Sequence, residues 1–189
     1  MPRELPHVIV ENCVSALEEL LGSVITEDML TDYGEAVRRN LHGILQYALI
    51  KAGLQAGALA IPEYKIQLKK PLDPSEYGLS GRRKMHVYRA DVGFLLVTNG
   101  PWPVGFGEAF TLDTAHSCCK PLEVEEVRWV TSGVKIPHVL RYGEFAPGAT
   151  PFTIIVAVLP TSARRTPSWR DQRRLLASST NYYEVFAPR

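Results

Sequence analysis

The stretch MHVYRADVGFLLVTNGPWPVGFGEAFTLD, from Met85 to Asp113, decides the fold. It reads as two apolar strands on either side of Asn99-Gly100, a dipeptide that favours a tight two-residue hairpin because both central residues of such a turn need φ > 0. A turn closed there pairs residues whose numbers sum to 199, as 99 and 100 do, and so sets Asp91 directly across from Glu108. Opposed side chains in an antiparallel pair have Cβ atoms about 4.5–5.5 Å apart. Two carboxylates that close repel unless something positive lies between them, and a divalent cation with oxygen ligands suits that place. The flanking residues Ala90, Val92, Phe94 and Leu95 on one strand and Val104, Phe106, Ala109 and Phe110 on the other are apolar on both faces. Acids are seldom left unpaired in such strands. A structural pairing with Arg or backbone donors competes with a site as the account of this pair. A bulge at Pro101-Trp102-Pro103 would slip the register by one and turn the acids to opposite faces.

Outward from the hairpin, the chain of 189 residues is long enough for one domain with a real core, and 46% apolar content marks a globular sequence. Its net charge of +1 excludes a strong global field, so nucleic-acid contact has to come from local patches. Cys13 and the adjacent Cys118-Cys119 make no disulfide framework and suit a reducing compartment. The start MPRELPHVIVENC has no signal-peptide pattern, and no apolar run reaches the roughly 20 residues of a membrane span. The expectation is a cytoplasmic protein, and sparse Asn and Gln fit a thermophilic source.

Val10, Val14, Leu17, Leu20 and Leu21 fall at helical spacing with Gly22 as a stop, an N-terminal helical extension within residues 1–25. Thr26 caps an expected second helix with the stripe Leu30, Val37, Leu41, Ile44, Ala48 and Ala52, ending near Gly53. The period then changes to two, with Tyr64, Ile66 and Leu68 alternating with Lys65, Gln67 and Lys69, which predicts a half-exposed strand. After the hairpin a helix is expected with Val127, Val130 and Val134 on one side. Phe152 to Leu159 reads as a buried central strand. Pro167 starts an expected last helix in the C-terminal 160–189 segment, and Tyr182 to Phe186 reads as an edge strand. The whole is expected to be a single domain, 1–189, of α/β class.

A helix, three mostly antiparallel strands, a crossover helix and a buried fourth strand resembles the core of the restriction-endonuclease-like superfamily, the PD-(D/E)XK nucleases. The resemblance covers roughly Asp28 to Leu159 and implies a mixed sheet with a central hairpin flanked by helices. In that family an Asp on the second strand and an acid on the third, followed two residues later by Lys, hold Mg²⁺ at the fork of the sheet. Asp91 in Arg89-Ala90-Asp91-Val92-Gly93-Phe94 looks like the first, and Glu108 in Gly107-Glu108-Ala109-Phe110 looks like the second. Where the family has Lys, this chain has Phe110, which neither orients a water nor offsets developing charge. The hairpin register brings Arg89 opposite Phe110 and restores a cation there. Arg is a poor proton acceptor but holds a phosphate well. Lys84, Lys120 and Lys135 are further cations without distinctive spacing, and the helix acid, Glu35, is off the family's interval.

The implied function is Mg²⁺- or Mn²⁺-dependent hydrolysis of DNA phosphodiester bonds, with Asp91 and Glu108 as metal ligands and Arg89 as a phosphate clamp. Weak or absent turnover is expected without the lysine. DNA is the expected partner, and a homodimer is a compatible assembly. Arg164, Arg165, Arg170, Arg173 and Arg174 with Trp169 form a late basic patch for a nucleic-acid backbone, diluted by Asp171. His116 is an accessory candidate at the mouth of the acid pair. From a different class comes a non-catalytic domain that keeps the nuclease fold to bind nucleic acid or protein. A third reading is a small interaction protein stabilised by zinc at His116, Cys118 and Cys119, although adjacent cysteines lack the spacing of a tetrahedral site. Gly105-Phe106-Gly107 lacks the rest of a phosphate loop and reads as a place of close packing.

Overall fold

The computed structural model describes residues 5–21, 34–77, 83–111, 135–158 and 182–186. They form a mixed α/β structure with helices α1 (Leu5–Leu21), α2 (Gly34–Gln55) and α3 (Lys135–Tyr142). The strands are β1 (Leu59–Leu72), β2 (Met85–Leu95), β3 (Pro103–Thr111), β4 (Phe152–Val158) and β5 (Tyr182–Phe186). One sheet holds all five in chain order. β1–β2 and β2–β3 pair antiparallel, and β3–β4 and β4–β5 pair parallel.

Helix α1 buries Leu5, Ile9, Cys13, Ala16 and Leu17, a stripe at spacings of four and three. The stripe expected from sequence was rotated: Val14 is exposed and Val10 only partly buried, because α2 meets the helix along the Cys13 side, with the thiol 3.9 Å from the Ala48 carbonyl. Helix α2 buries Leu45, Ala48, Leu49 and Ala52. It passes the expected stop at Gly53 and ends on Gly57, whose φ of 78° permits the closing bonds Ala58 N–H to Gly53 C=O and Gly57 N–H to Leu54 C=O. Helix α3 was not expected. Pro137 is tolerated in its first turn, where the amide has no helical partner, and Ile136, His138 and Val139 face inward.

The helices cover opposite faces of the sheet. Val92, Phe94, Phe152, Ile154 and Val156 pack with α1 and α2, while Ile66, Leu68, Tyr88, Phe106 and Ile155 pack with α3. Tyr88 and Ala90 thus face α3 while Val92 and Phe94 face α2, although a regular strand would send all four to one side. The alternation breaks at Asp91. β1 breaks at the opposing rung, between Pro62↔Val92 and Tyr64↔Ala90, where Glu63 has a φ of 54°.

The hairpin forms, but not through the expected turn. Pro101 has no N–H to close a two-residue turn on Asn99-Gly100. A 3₁₀ turn over Val97–Asn99 forms instead, closed by Asn99 N–H on the Leu96 carbonyl at 2.9 Å, and only Gly100 takes a positive φ. Leaving this loop, Leu95 pairs with Pro103, a sum of 198, and a bulge at Val104 follows. Phe94↔Gly105, Gly93↔Phe106 and Val92↔Gly107 then all sum to 199. The slip in the loop and the bulge cancel, so the register that opposes Asp91 and Glu108 survives a different turn.

Thr26, Leu30, the helix around Val127 to Val134 and the helix after Pro167 lie outside the described residues.

Candidate functional site at the fork of β2 and β3

Val92↔Gly107 is the last rung between β2 and β3. Beyond it the strands part, and Asp91 Oδ2 accepts the Ala109 backbone N–H of β3 at 2.7 Å. The Glu108 carboxyl lies beside Asp91, whose charge raises its pKa and whose backbone amide lowers it. β3 continues beside β4 from Gly105↔Phe152 to Thr111↔Val158, so the fork is braced on one side by a fully paired strand. Gly105 and Gly107 serve close packing: a Cβ would lie 2.7 Å from the Phe152 ring at the first and 3.0 Å from Leu49 of α2 at the second.

Glu108 is 8% exposed and accepts the Tyr88 hydroxyl on Oε1 at 2.7 Å. Burial pushes its pKa well above the ordinary carboxylate range, and the neighbouring Asp91 charge adds to the rise. Tyr88, Lys135 and the Asp91 amide act in the opposite direction and do not offset burial. A neutral carboxyl still offers its carbonyl oxygen to Tyr88, so the bond and the raised pKa agree. The Tyr88 ring is itself fixed edge-on against Phe106, with centroids 5.6 Å apart.

Asp91 is approached from the α2 side. His42 Nε2 lies 3.4 Å from Asp91 Oδ1, and this contact raises the histidine pKa although partial burial opposes it. Four residues along the same helix face, Gln46 donates to the Asp91 carbonyl at 2.8 Å and to Glu63 Oε1 at 3.3 Å. Arg89 pairs through Nε with Glu63 Oε2 and is exposed; its rung partner is Lys65 on β1. It does not pair with Phe110 of β3, because the β2–β3 ladder has already ended. Position 110 pairs with Ala157 of β4.

Of the residues singled out from sequence, the structure thus brings Asp91 and Glu108 together and ties Arg89 to Glu63. Glu35 lies in the first turn of α2, and its side chain is outside the described residues, as are His116, Cys118, Cys119 and the Arg164, Arg165, Arg170, Arg173 and Arg174 patch. His42, Gln46, Glu63 and Tyr88 were missed, while Lys135, one of three further cations named from sequence, is the one whose charge acts on Glu108. His42 and Gln46 had a readable signal, a polar pair four apart that borders the apolar Leu45 and Leu49. Glu63 had none, since the β1–β2 register is not set by a turn motif.

The donors at the fork are carboxylate oxygens, the chemistry that suits Mg²⁺, which is commonly held by one or two carboxylates with water and substrate phosphate completing the shell. Among the described residues no group of three or more His, Cys, Asp and Glu forms a metal cage. No helix among them is long and apolar enough to cross a membrane. Compared with protein-family models, with curated proteins and with solved structures, the chain has no match.

Proposed function

We propose that the fork is the site of a metal-dependent nuclease-like protein acting on DNA phosphodiester bonds. The observation that carries the reading is the placement of Asp91 and Glu108 on opposed positions where β2 and β3 part, Asp91 held by the Ala109 amide of β3 and Glu108 by the Tyr88 hydroxyl of β2. The order of helix, antiparallel meander, helix and a fourth strand parallel to the third supports the likeness to the restriction-endonuclease-like core. Asp91 and Glu108 would hold Mg²⁺ or Mn²⁺, which supplies neutralisation of phosphate charge and an activated water. His42 and the Ala109 amide fix the Asp91 carboxylate, and Gln46 fixes its backbone. Tyr88 fixes Glu108. Arg89 reaches a phosphate only by leaving Glu63, so its release is part of substrate binding.

A specific feature favours the second reading, a non-catalytic domain that binds nucleic acid or protein. Phe110 stands in the lysine position, and burial favours the protonated form of Glu108, which opposes its ligation of a cation. Losing one positively charged contact at a scissile phosphate commonly lowers the rate by roughly 10²–10³. Cleavage of plasmid and branched DNA with Mg²⁺ or Mn²⁺ separates the readings. The nuclease reading expects slow cleavage that disappears in Asp91→Ala and Glu108→Ala, and in Arg89→Ala with metal binding retained. Cleavage undiminished in both acid variants rejects the site, and no cleavage by the native chain leaves the binding domain.

A further inference from the structure

Across the β1–β2 ribbon from the fork, Lys65 and Arg89 face each other on one rung. Both are exposed, as are Gln67 and Lys69 further along β1. Like charges directly opposed in an antiparallel pair destabilise it. Glu63 answers Arg89, but Lys65 and Lys69 have no carboxylate within ion-pair reach among the described residues. The band continues to Lys70 and Lys84, paired with Glu76 at 3.5 Å and Asp73 at 2.9 Å, and to Arg83. Among described residues 63–77 and 83–89 there are six Lys or Arg (65, 69, 70, 83, 84, 89) and three acids (63, 73, 76), an excess of three positive charges. The whole chain carries only +1. Among the described residues, positive charge is therefore concentrated on this ribbon.

We propose that the solvent face of β1–β2, centred on Lys65 and Lys69, is the track along which a nucleic-acid backbone reaches the fork. This deepens the nuclease-like reading and rests on it for the destination of the track. Four features argue for this occupant. The other face of the ribbon is buried through Ile66, Leu68 and Tyr88 beneath Ile136 and Val139 of α3, so the cations stand on a fixed platform. Lys65 and Lys69 are four strand residues apart, about 13 Å, and point the same way, so they meet separate phosphates. Arg89 is two residues from Asp91, so the band of charge ends at the acids that would act on the backbone it holds. The polar Gln67 between the lysines suits a phosphate backbone better than an acyl surface, which needs apolar side chains to insert.

Fluorescence anisotropy with a labelled DNA duplex in EDTA, from 50 to 200 mM NaCl, tests the track apart from any metal chemistry. The double variant Lys65→Ala, Lys69→Ala is expected to bind about tenfold more weakly at low salt and to lose about 1.8 from the slope of log K against log salt, the value for two phosphate contacts. Both side chains are exposed, so the melting temperature stays within a degree or so of the native value. Lys51→Ala, which removes the α1–α2 ion pair with Glu19, is the control for a simple loss of charge and is expected to bind as the native chain does. Equal weakening in Lys51→Ala, unchanged binding in the double variant, or no DNA binding by the native chain would overturn the proposal. So would a loss confined to phosphatidylserine vesicles. Binding lost in the double variant without any metal-dependent cleavage by the native chain would uphold the track and reject the nuclease reading.

Discussion

Glu108→Gln is the substitution for which the structure gives the clearest energetic consequence. The carboxyl is buried at the fork beside Asp91, and its pKa is raised well above the ordinary range. In the unfolded chain the same group titrates near 4.3. Below that pH both states hold the proton, and the carboxyl contributes no pH dependence. As pH rises, the unfolded state releases its proton while the folded state keeps it, so stability falls by about 1.4 kcal/mol per pH unit until the folded-state pKa is reached. Glutamine is neutral throughout, close to the same size, and its amide oxygen still accepts the Tyr88 hydroxyl. Glu108→Gln is therefore expected to be more stable than the native chain at pH 7 to 8 without metal, with the gap closing towards pH 4. A chain of this size gains roughly 2–4 °C in melting temperature per kcal/mol. Thermal melts of both proteins in EDTA across that pH range read the effect, and added Mg²⁺ should raise only the native melting temperature. A gap independent of pH, or a less stable Gln variant at pH 7, would refute the reasoning, because Glu108 would then be an ionised and satisfied partner.

Three further outcomes are expected. Glu63→Gly removes the cost of a left-handed backbone in a non-glycine residue, roughly 1 kcal/mol, against loss of an exposed ion pair with Arg89, so urea midpoints should stay level or rise; a drop above about 1 kcal/mol would show that Glu63 braces the ribbon. Val14→Lys should change stability by less than about 0.5 kcal/mol, whereas Cys13→Asp should cost several and lower the urea midpoint sharply; the reverse order would place the α1 face wrongly. Burial pushes the Cys13 thiol up to about 12, so peptide mass spectrometry should find Cys13 unalkylated by iodoacetamide at pH 8 in the native chain and alkylated in urea.

The register of the hairpin was legible in the sequence for a reason other than the one that made it so. Asn99-Gly100 pointed to the centre of symmetry, yet Pro101 prevented that turn, and the loop and the Val104 bulge restored the sum of 199 between them. Apolar alternation located β1 because burial follows its pleat between Tyr64 and Lys69, and a largely apolar run located β4 because Phe152 to Val156 are buried on both faces. The same rule could not show where the pleat breaks. The switch of faces at Glu63 and Asp91 depends on one φ angle and on helices packed from both sides, neither of which composition records. Helix α1 shows the same limit: Val14 and Cys13 are both apolar neighbours at helical spacing, and only the position of α2 decides which is buried. At the site, the two acids could be read from the hairpin, but their partners come from α2 and from Tyr88, brought there by tertiary packing. Arg89 was assigned to β3 by extending a ladder that stops three rungs earlier, and β1 claims it instead.

The proposed site at the fork stands or falls on joint ligation of one divalent cation by Asp91 and Glu108. Titration of Mn²⁺ into the metal-free chain at pH 8, followed by electron paramagnetic resonance of the free ion, tests it most directly. Saturable binding is expected for the native chain, and its loss in both Asp91→Ala and Glu108→Ala, each with its fold verified by circular dichroism. Binding that survives in both variants, or none in the native chain, would contradict joint ligation.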